Sequence, residues 1–204
     1  MLILGRSPAE VAGLVIGLLL GITLHEFSHA LLADRLGDHG PRAMGRVSLN
    51  PLRHLDPLGT ILLVLVGFGW GRPVPVNPAV LRRGRDGMAI VAAAGPVANV
   101  VVAVLLALGF RGLEAAGLDG VAAVVIGTAV YLNLLLALLN FIPIPPLDGY
   151  SVLLAVLPPR WVYTVQRYAP YGIVVLIVLL VLPNSPLRWL LGLAEPWTLV
   201  LMGL

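Results

Sequence analysis

The chain has 204 residues, of which 59% are hydrophobic and 11% are charged, and its formal net charge is +3. Because a soluble domain carries about 25% charged residues, this composition predicts an integral membrane protein, with one membrane-embedded domain over residues 1–204. The chain has neither cysteine nor lysine, which excludes thiolate ligands, disulfides and thiol or lysine catalysis. Its thirteen arginines do not form a pattern that indicates a nucleic-acid-binding surface.

The first apolar segment covers residues 8–35. Ser7 is a candidate N-cap, and Pro8 suits the first position of a helix. The first 24 residues also resemble a signal peptide, but no small-residue cleavage site follows them and further apolar segments come later. We therefore interpret residues 8–35 as a retained transmembrane helix.

This segment contains the run His25-Glu26-Phe27-Ser28-His29, an H-E-x-x-H pattern. On a helix the pattern places two imidazoles one turn apart on one face, where both can bind one zinc ion. Glu26 then lies beside the metal, where it can take a proton from bound water. Ionisable side chains are costly inside a membrane, so His25, Glu26 and His29 indicate a functional site. The alternative is a polar pair that joins helices by hydrogen bonds.

The next apolar segment, residues 58–70, is short for a membrane span. Thirteen helical residues cover about 20 Å of a ~30 Å hydrocarbon core, so we expect this segment to re-enter the membrane or to insert partly. Residues 71–87 contain an alternation of proline and valine at positions 73–76. It predicts extended chain, as an edge strand or a hairpin, because proline disfavours both helices and central strands.

Four further apolar segments follow, at residues 88–110, 121–142, 170–183 (beginning near 161) and, more weakly, 187–203. Together these patterns predict an all-α polytopic membrane helix bundle of about five to six segments, with a short re-entrant or extended loop insertion. We expect a catalytic core over residues 8–155 and accessory C-terminal helices over residues 160–204.

The arginines predict the orientation in the membrane. If residues 58–70 do not cross, ten arginines lie on one side of the membrane, at positions 35, 42, 46, 53, 72, 82, 83, 85, 160 and 167. Only Arg6, Arg111 and Arg188 lie on the other side. The positive-inside rule makes the ten-arginine side cytoplasmic and places the N-terminus outside.

A catalytic zinc ion needs a third protein ligand and one open position. The candidates are His39, His54 and Asp148. Asp148 follows the prolines at 143, 145 and 146, which end the helix before it. In the predicted topology Asp148 and His25 can meet at one depth below the cytoplasmic face. The alternative is that Asp148 caps the next helix.

Four stretches carry a family resemblance: HEFSH, GWGRPVPVNP (69–78), AAAGPVANV (92–100) and NFIPIPPLDG (140–149). Together they resemble the site-2 protease family of intramembrane zinc metalloproteases, in particular its short bacterial members without a PDZ domain. The resemblance covers roughly residues 15–155. It implies a prokaryotic plasma-membrane enzyme, and the predicted topology places the active site towards the cytoplasmic side.

The resemblance also implies residue roles. His25, His29 and Asp148 would bind one Zn²⁺ per chain, and Glu26 would be the catalytic base. The remaining roles are substrate binding by Asn140 and structural support near the site by Gly95, Asn99 and Pro143. Gly95 and Asn99 would form a G-x-x-x-N motif that serves close helix packing.

We therefore expect a zinc-dependent endopeptidase that hydrolyses peptide bonds in or near transmembrane segments of membrane proteins. Val74 and Val76 would hold the unwound substrate by strand addition. One alternative is a non-catalytic membrane zinc-binding protein, either a metal carrier or an inactive protease relative. Another is a zinc hydrolase that acts on a small lipid-borne substrate. The sequence leaves the substrate, the cleavage site and the oligomeric state open.

Overall fold

The chain folds as an all-helical membrane bundle. The computed structural model describes residues 5–66, 71–115, 117 and 120–204. Short 3₁₀ turns cover Pro51–Arg53 and Ala169–Tyr171. The α-helices within the described ranges are α1 (Pro8–Arg35), α2 (Gly40–Ala43), α3 (Pro57–Val66), α4 (Gly84–Ala115), α5 (Val121–Asn140), α6 (Asp148–Val156), α7 (Pro159–Tyr168), α8 (Gly172–Val181), α9 (Pro186–Gly192) and α10 (Ala194–Met202). The predicted all-α class is confirmed.

Four helical stretches within these ranges are long and apolar enough to cross a membrane. They are α1, α4, α5 and the stretch Pro159–Val181, in which a 3₁₀ turn joins α7 to α8. Helix α3 has ten residues and is about 15 Å long, which is too short to cross. Residues 67–70, the end of that predicted segment, lie outside the described residues.

The predicted final span at 187–203 is wrong, because two short helices replace it. Helix α9 ends at Gly192, and α10 begins at Ala194. The cause is Pro196, which has no N–H to donate and whose ring clashes with the carbonyl four residues earlier, at Gly192.

The predicted start of α1 is confirmed. The Ser7 hydroxyl accepts a hydrogen bond from the Glu10 backbone N–H, and the Glu10 carboxylate accepts one from the Ser7 backbone N–H. Pro8 occupies the first helical position. Such a reciprocal cap satisfies two otherwise unpaired donors and stabilises a helix end by about 1 kcal/mol.

Helices α1, α4 and α5 pack against one another and form the centre of the bundle. Glycines at every fourth position of α1 allow the close approach of α5. A side-chain carbon at Gly17 would lie 2.8 Å from the Cα of Ala129, and one at Gly21 would lie 2.8 Å from Oδ1 of Asn133. Since even a methyl group would not fit there, the two backbones touch, as is usual for small residues at this spacing in membrane helices.

The loop between α5 and α6 is held at both of its ends. At its start the three prolines prevent continuation of α5. At its end Gly149 packs on the backbone just after α5, where an added side-chain carbon would lie 2.6 Å from the Ile142 carbonyl oxygen. Arg85 of α4 donates hydrogen bonds to the carbonyls of Leu154 and Leu157 at the C-terminal end of α6, where a cation is favoured by the helix dipole. Both ends of the short helix that begins with Asp148 are thereby fixed.

The residues after Gly71 form no strand. An isolated antiparallel bridge joins Leu55 to Gly71, and residues 72–77 have no regular secondary structure. The predicted edge strand or hairpin is therefore not formed in the described residues. The physical reason is that prolines at 73, 75 and 78 remove the backbone donors that a strand ladder requires.

Candidate metal centre

His25 and His29 lie one turn apart on the face of α1 that carries Gly13, Gly17 and Gly21. Their ring centroids are 4.6 Å apart, and the rings are nearly perpendicular, at 85°. Both residues are buried, with exposed fractions of 9% and 7%. The glycine-lined packing of α1 therefore carries both imidazoles into the interior of the bundle.

Asp148 brings a carboxylate to the same point. Its Oδ2 lies 3.0 Å from Nε2 of His25 and 3.3 Å from Nε2 of His29. Asp148 begins α6, but the N-cap position belongs to Leu147 and no side chain caps that helix. The alternative that Asp148 serves as a helix cap is therefore wrong, because its carboxylate faces the histidines.

The outer nitrogens of both imidazoles have acceptor partners. Nδ1 of His25 donates a hydrogen bond to Oδ1 of Asn99 at 2.6 Å, and Nδ1 of His29 donates one to the Val91 carbonyl at 2.7 Å. A neutral imidazole that carries its proton on Nδ1 has a lone pair on Nε2. Both lone pairs consequently face Asp148, as they do in metal-binding histidines oriented by an outer hydrogen bond.

The three inner atoms are therefore all acceptors. Oδ2 of Asp148 is buried and has no hydrogen-bond donor among the described residues. Three converging lone pairs repel one another unless a cation lies between them. Two ligand atoms on a tetrahedral zinc ion at about 2.0–2.1 Å lie roughly 3.3 Å apart, which matches the observed separations. The donor set of His25, His29 and Asp148 thus fits a zinc ion.

Gly95 of α4 makes room for this centre. A side-chain carbon at Gly95 would lie 2.6 Å from Nε2 of His25 and closer still to Nε2 of His29. Asn99, one turn further along α4, is fully buried and holds His25. Two of the three residues expected to support the site therefore have separate geometric effects, since Gly95 provides space and Asn99 orients His25.

Two cavities meet at this point, and Glu26 and Asp148 line both of them. The larger has a volume of about 370 Å³; the smaller has about 90 Å³. The larger cavity is mostly apolar, with side chains of Leu18, Ile22, Leu136, Leu139 and Leu176 in its wall. Ligand-binding cavities are usually lined by apolar side chains with a few polar groups that orient the ligand. In the larger cavity His25, Glu26 and Asp148 are such polar groups.

Comparison with known proteins gives the family. The chain is 39% identical over 183 residues to "Putative zinc metalloprotease YwhC" of Bacillus subtilis, and the aligned region covers 86% of the chain and 84% of that protein. It is 36% identical over 185 residues to "Putative zinc metalloprotease Rip2" of Mycolicibacterium smegmatis, over 86% of the chain and 68% of the relative. Rip2 of Mycobacterium tuberculosis is 32% identical over 210 residues, over 97% of the chain and 78% of the relative.

The chain belongs to this zinc metalloprotease family. No family model and no solved structure matches the chain. The family and the four apolar helical stretches together make it a membrane protein of the metalloprotease class.

The residues that were expected to bind substrate lie around the two cavities of this metalloprotease. Asn140 is the last residue of α5; it lines the larger cavity, and its side-chain amide donates to the Leu136 carbonyl at 3.0 Å. Val74 and Val76 line the smaller cavity. Pro143 is exposed in the loop between α5 and α6, and it is Pro146 of the same loop that lines the larger cavity.

Two residues near the centre were missed from the sequence. Arg46 is buried, and its guanidinium donates to the carbonyls of Arg72 and Pro73 at 3.1 Å each. The Val74 N–H donates in turn to the Glu26 carboxylate at 3.2 Å. The second missed residue is Asn133, which is fully buried in α5 and bonded to Asn99. An asparagine within an apolar helix was the available signal for it.

Proposed function

We propose that this protein is an intramembrane zinc endopeptidase of the H-E-x-x-H type, which hydrolyses peptide bonds in or near transmembrane segments of membrane proteins. The observation that carries the proposal is the convergence of the Nε2 atoms of His25 and His29 on Oδ2 of Asp148, beside Glu26 and an apolar cavity. A substrate that enters such a cavity presents apolar side chains, as a membrane segment does. The proposal includes one zinc ion per chain.

In this proposal Glu26 transfers the protons. A zinc ion bound by the three side chains would polarise the scissile carbonyl and acidify the attacking water. Glu26 takes the proton from that water as its oxygen bonds to the carbonyl carbon, and it returns the proton to the amine as the C–N bond breaks. Its carboxylate is already oriented by the Val74 N–H. His25 and His29 keep their Nδ1 protons throughout, because Asn99 and the Val91 carbonyl hold them.

The proposal also specifies the placement in the membrane. We place the N-terminus outside and the site towards the cytoplasmic face, in agreement with the positive-inside rule. The arginine-rich segments before α4 would then be cytoplasmic. We also retain a catalytic core over residues 8–155 and accessory helices over residues 160–204, although Leu176 of α8 reaches the wall of the larger cavity.

The direct test uses purified protein in liposomes with a co-reconstituted single-span membrane protein as substrate. We expect cleavage that stops on zinc chelation and returns when zinc is added back, with product ends that map by mass spectrometry within the membrane segment. Product ends confined to soluble regions would contradict the intramembrane proposal. Bound zinc without hydrolysis of any peptide would favour the metal carrier or an inactive relative, and release of a lipid-borne fragment would favour the alternative hydrolase.

We further propose that residues 71–77 present the substrate in extended form. Among these residues Val74 and Val76 line the small cavity beside Glu26 and His29. A membrane helix cannot be cut while its carbonyls are hydrogen-bonded within it, and an extended neighbour offers backbone partners to an unwound strand.

Replacing Val74 and Val76 by glycine tests this role. We expect slower cleavage with an unchanged zinc content. The glycines increase the conformational freedom of the segment and remove two side chains from the cavity lining, while the proposed ligands stay in place. The paired measurements are product formation and zinc per chain. The control is the double variant Val80→Gly, Val121→Gly, which makes the same substitutions at two exposed valines. Cleavage at the wild-type rate in the Val74→Gly, Val76→Gly protein would eliminate the proposed role.

A further inference from the structure

Asn133 lies in the middle of α5 and forms no hydrogen bond with His25, His29 or Asp148. It is fully buried, as is Asn99. Its side-chain amide bonds to the amide of Asn99, and Asn99 bonds to His25. Two asparagines and a histidine thus form a continuous chain of hydrogen bonds across the interface of α5, α4 and α1.

The direction of every bond in this chain follows from its far end. Nδ2 of Asn133 lies 3.1 Å from the Gly17 carbonyl and 2.9 Å from the Ala129 carbonyl. Backbone carbonyls only accept hydrogen bonds, so this end of Asn133 must be its NH₂ group. The opposite end, Oδ1, is thereby turned towards Asn99.

The same logic fixes Asn99. Its Nδ2 lies 3.2 Å from the Gly21 carbonyl and 3.1 Å from Oδ1 of Asn133. Two acceptors use both of its amide hydrogens, so the oxygen of Asn99 must face His25. In a flipped Asn99 the NH₂ group would face Nδ1 of His25 and would require a lone pair there. The proton of His25 would then move to Nε2, the atom that faces Asp148.

We propose that Asn133 is a positioning residue, which acts through Asn99 to keep the Nε2 lone pair of His25 directed at the metal. This inference rests on the proposed zinc site. The glycines of α1 contribute to this hydrogen-bond chain, because the absence of side chains leaves the carbonyls of Gly17 and Gly21 accessible to the two asparagines. Asn99 alone has one backbone acceptor, and Asn133 supplies the second acceptor that makes a flip unfavourable.

The test is a double-mutant cycle on zinc affinity with Asn133→Leu and Asn99→Leu, measured by competition with a chelator in the full-length protein. We expect Asn133→Leu to weaken zinc binding by about 10–100-fold, as loss of an orienting partner typically does. In the Asn99→Leu background the second substitution should add little, since Asn133 then has nothing to orient. Asn133→Ala makes the same comparison if the leucine variant does not fold.

A matched control separates orientation from loosened packing. Leu132→Ala removes a buried side chain from the same helix, where Leu132 packs on Leu14 and Leu18, and it leaves the asparagines intact. Nitrogen NMR of the metal-free proteins should show a proton on Nδ1 of His25 in every molecule of the wild type and of Leu132→Ala, and a fraction of molecules without that proton in Asn133→Leu.

The outcomes distinguish the two proposals. A wild-type protein that binds no zinc would overturn the zinc site and this inference together. Wild-type zinc affinity in Asn133→Leu, or a loss of equal size with and without Asn99, would overturn only the role of Asn133. An Nδ1 proton on His25 in every molecule of the Asn133→Leu protein would do the same.

Discussion

Replacing Glu26 by glutamine is expected to abolish peptide cleavage while leaving zinc bound. Glutamine has the same shape, and its carbonyl oxygen can still accept the Val74 N–H, but it cannot take a proton from water. Loss of a general base reduces a rate by about 10²- to 10⁴-fold. The zinc content should stay at one ion per chain, because Glu26 is not one of the three converging ligands. Product formation in liposomes and elemental analysis of the same preparation make the measurement.

The control for this variant is Glu114→Gln, which makes the same chemical change at an exposed position near the end of α4. It should cleave at the wild-type rate. If Glu26→Gln and the wild type process a membrane substrate equally, Glu26 is not the base, and the proposed mechanism fails. A zinc-loaded wild type that cleaves no substrate would instead favour a non-catalytic zinc protein.

Replacing Gly95 by alanine is expected to remove the metal. The added methyl carbon would lie 2.6 Å from Nε2 of His25 and nearer to Nε2 of His29, so it would occupy the space between the two nitrogens and any ion. Loss of a hydrogen-bond partner of a metal ligand already weakens metal affinity by about 10–100-fold, so a methyl group placed among the ligands should weaken it further. Zinc per chain after dialysis, and cleavage in the same sample, should both fall to background.

Helix α4 offers a matched control at Gly109, where an added side-chain carbon would meet nothing within 4 Å. Gly109→Ala makes the same substitution in the same helix, and alanine favours helix formation by about 1 kcal/mol relative to glycine. That variant should bind zinc normally and should unfold no more easily than the wild type. Full zinc occupancy in Gly95→Ala would mean that the metal lies elsewhere.

Local signals in the sequence were sufficient for much of the fold. The cap at Ser7 and the proline at position 8 predicted the first residue of α1, and the predicted end of α5 differs from the observed end by two residues. The errors arose where prolines lie inside a segment whose other residues fit the predicted element. Pro196 interrupts an apolar run that looked like one span, and the prolines of residues 73–78 prevent strand pairing although their alternation with valine suggested it.

The site was predictable as far as its ligand types could be recognised. H-E-x-x-H and the aspartate after the prolines are local patterns, and the structure brings their side chains together. Arg46 and Asn133 could not be found in this way, because their effects depend on which carbonyls and amides the packing of distant segments places beside them. Gly95 was expected to serve close helix packing, but its contact with the two imidazoles depends on how α4 is rotated about its axis.

The order of the ligands along the chain has a consequence for biosynthesis. The two histidines enter the membrane with α1, whereas the carboxylate arrives only with α6, after α4 and α5 have been synthesised. A nascent chain that has inserted α1 alone carries two of the three ligands and none of the neighbouring groups that orient them. In the proposed zinc site, full coordination therefore awaits the docking of the later helices, so a partly synthesised chain would contain no complete hydrolytic centre.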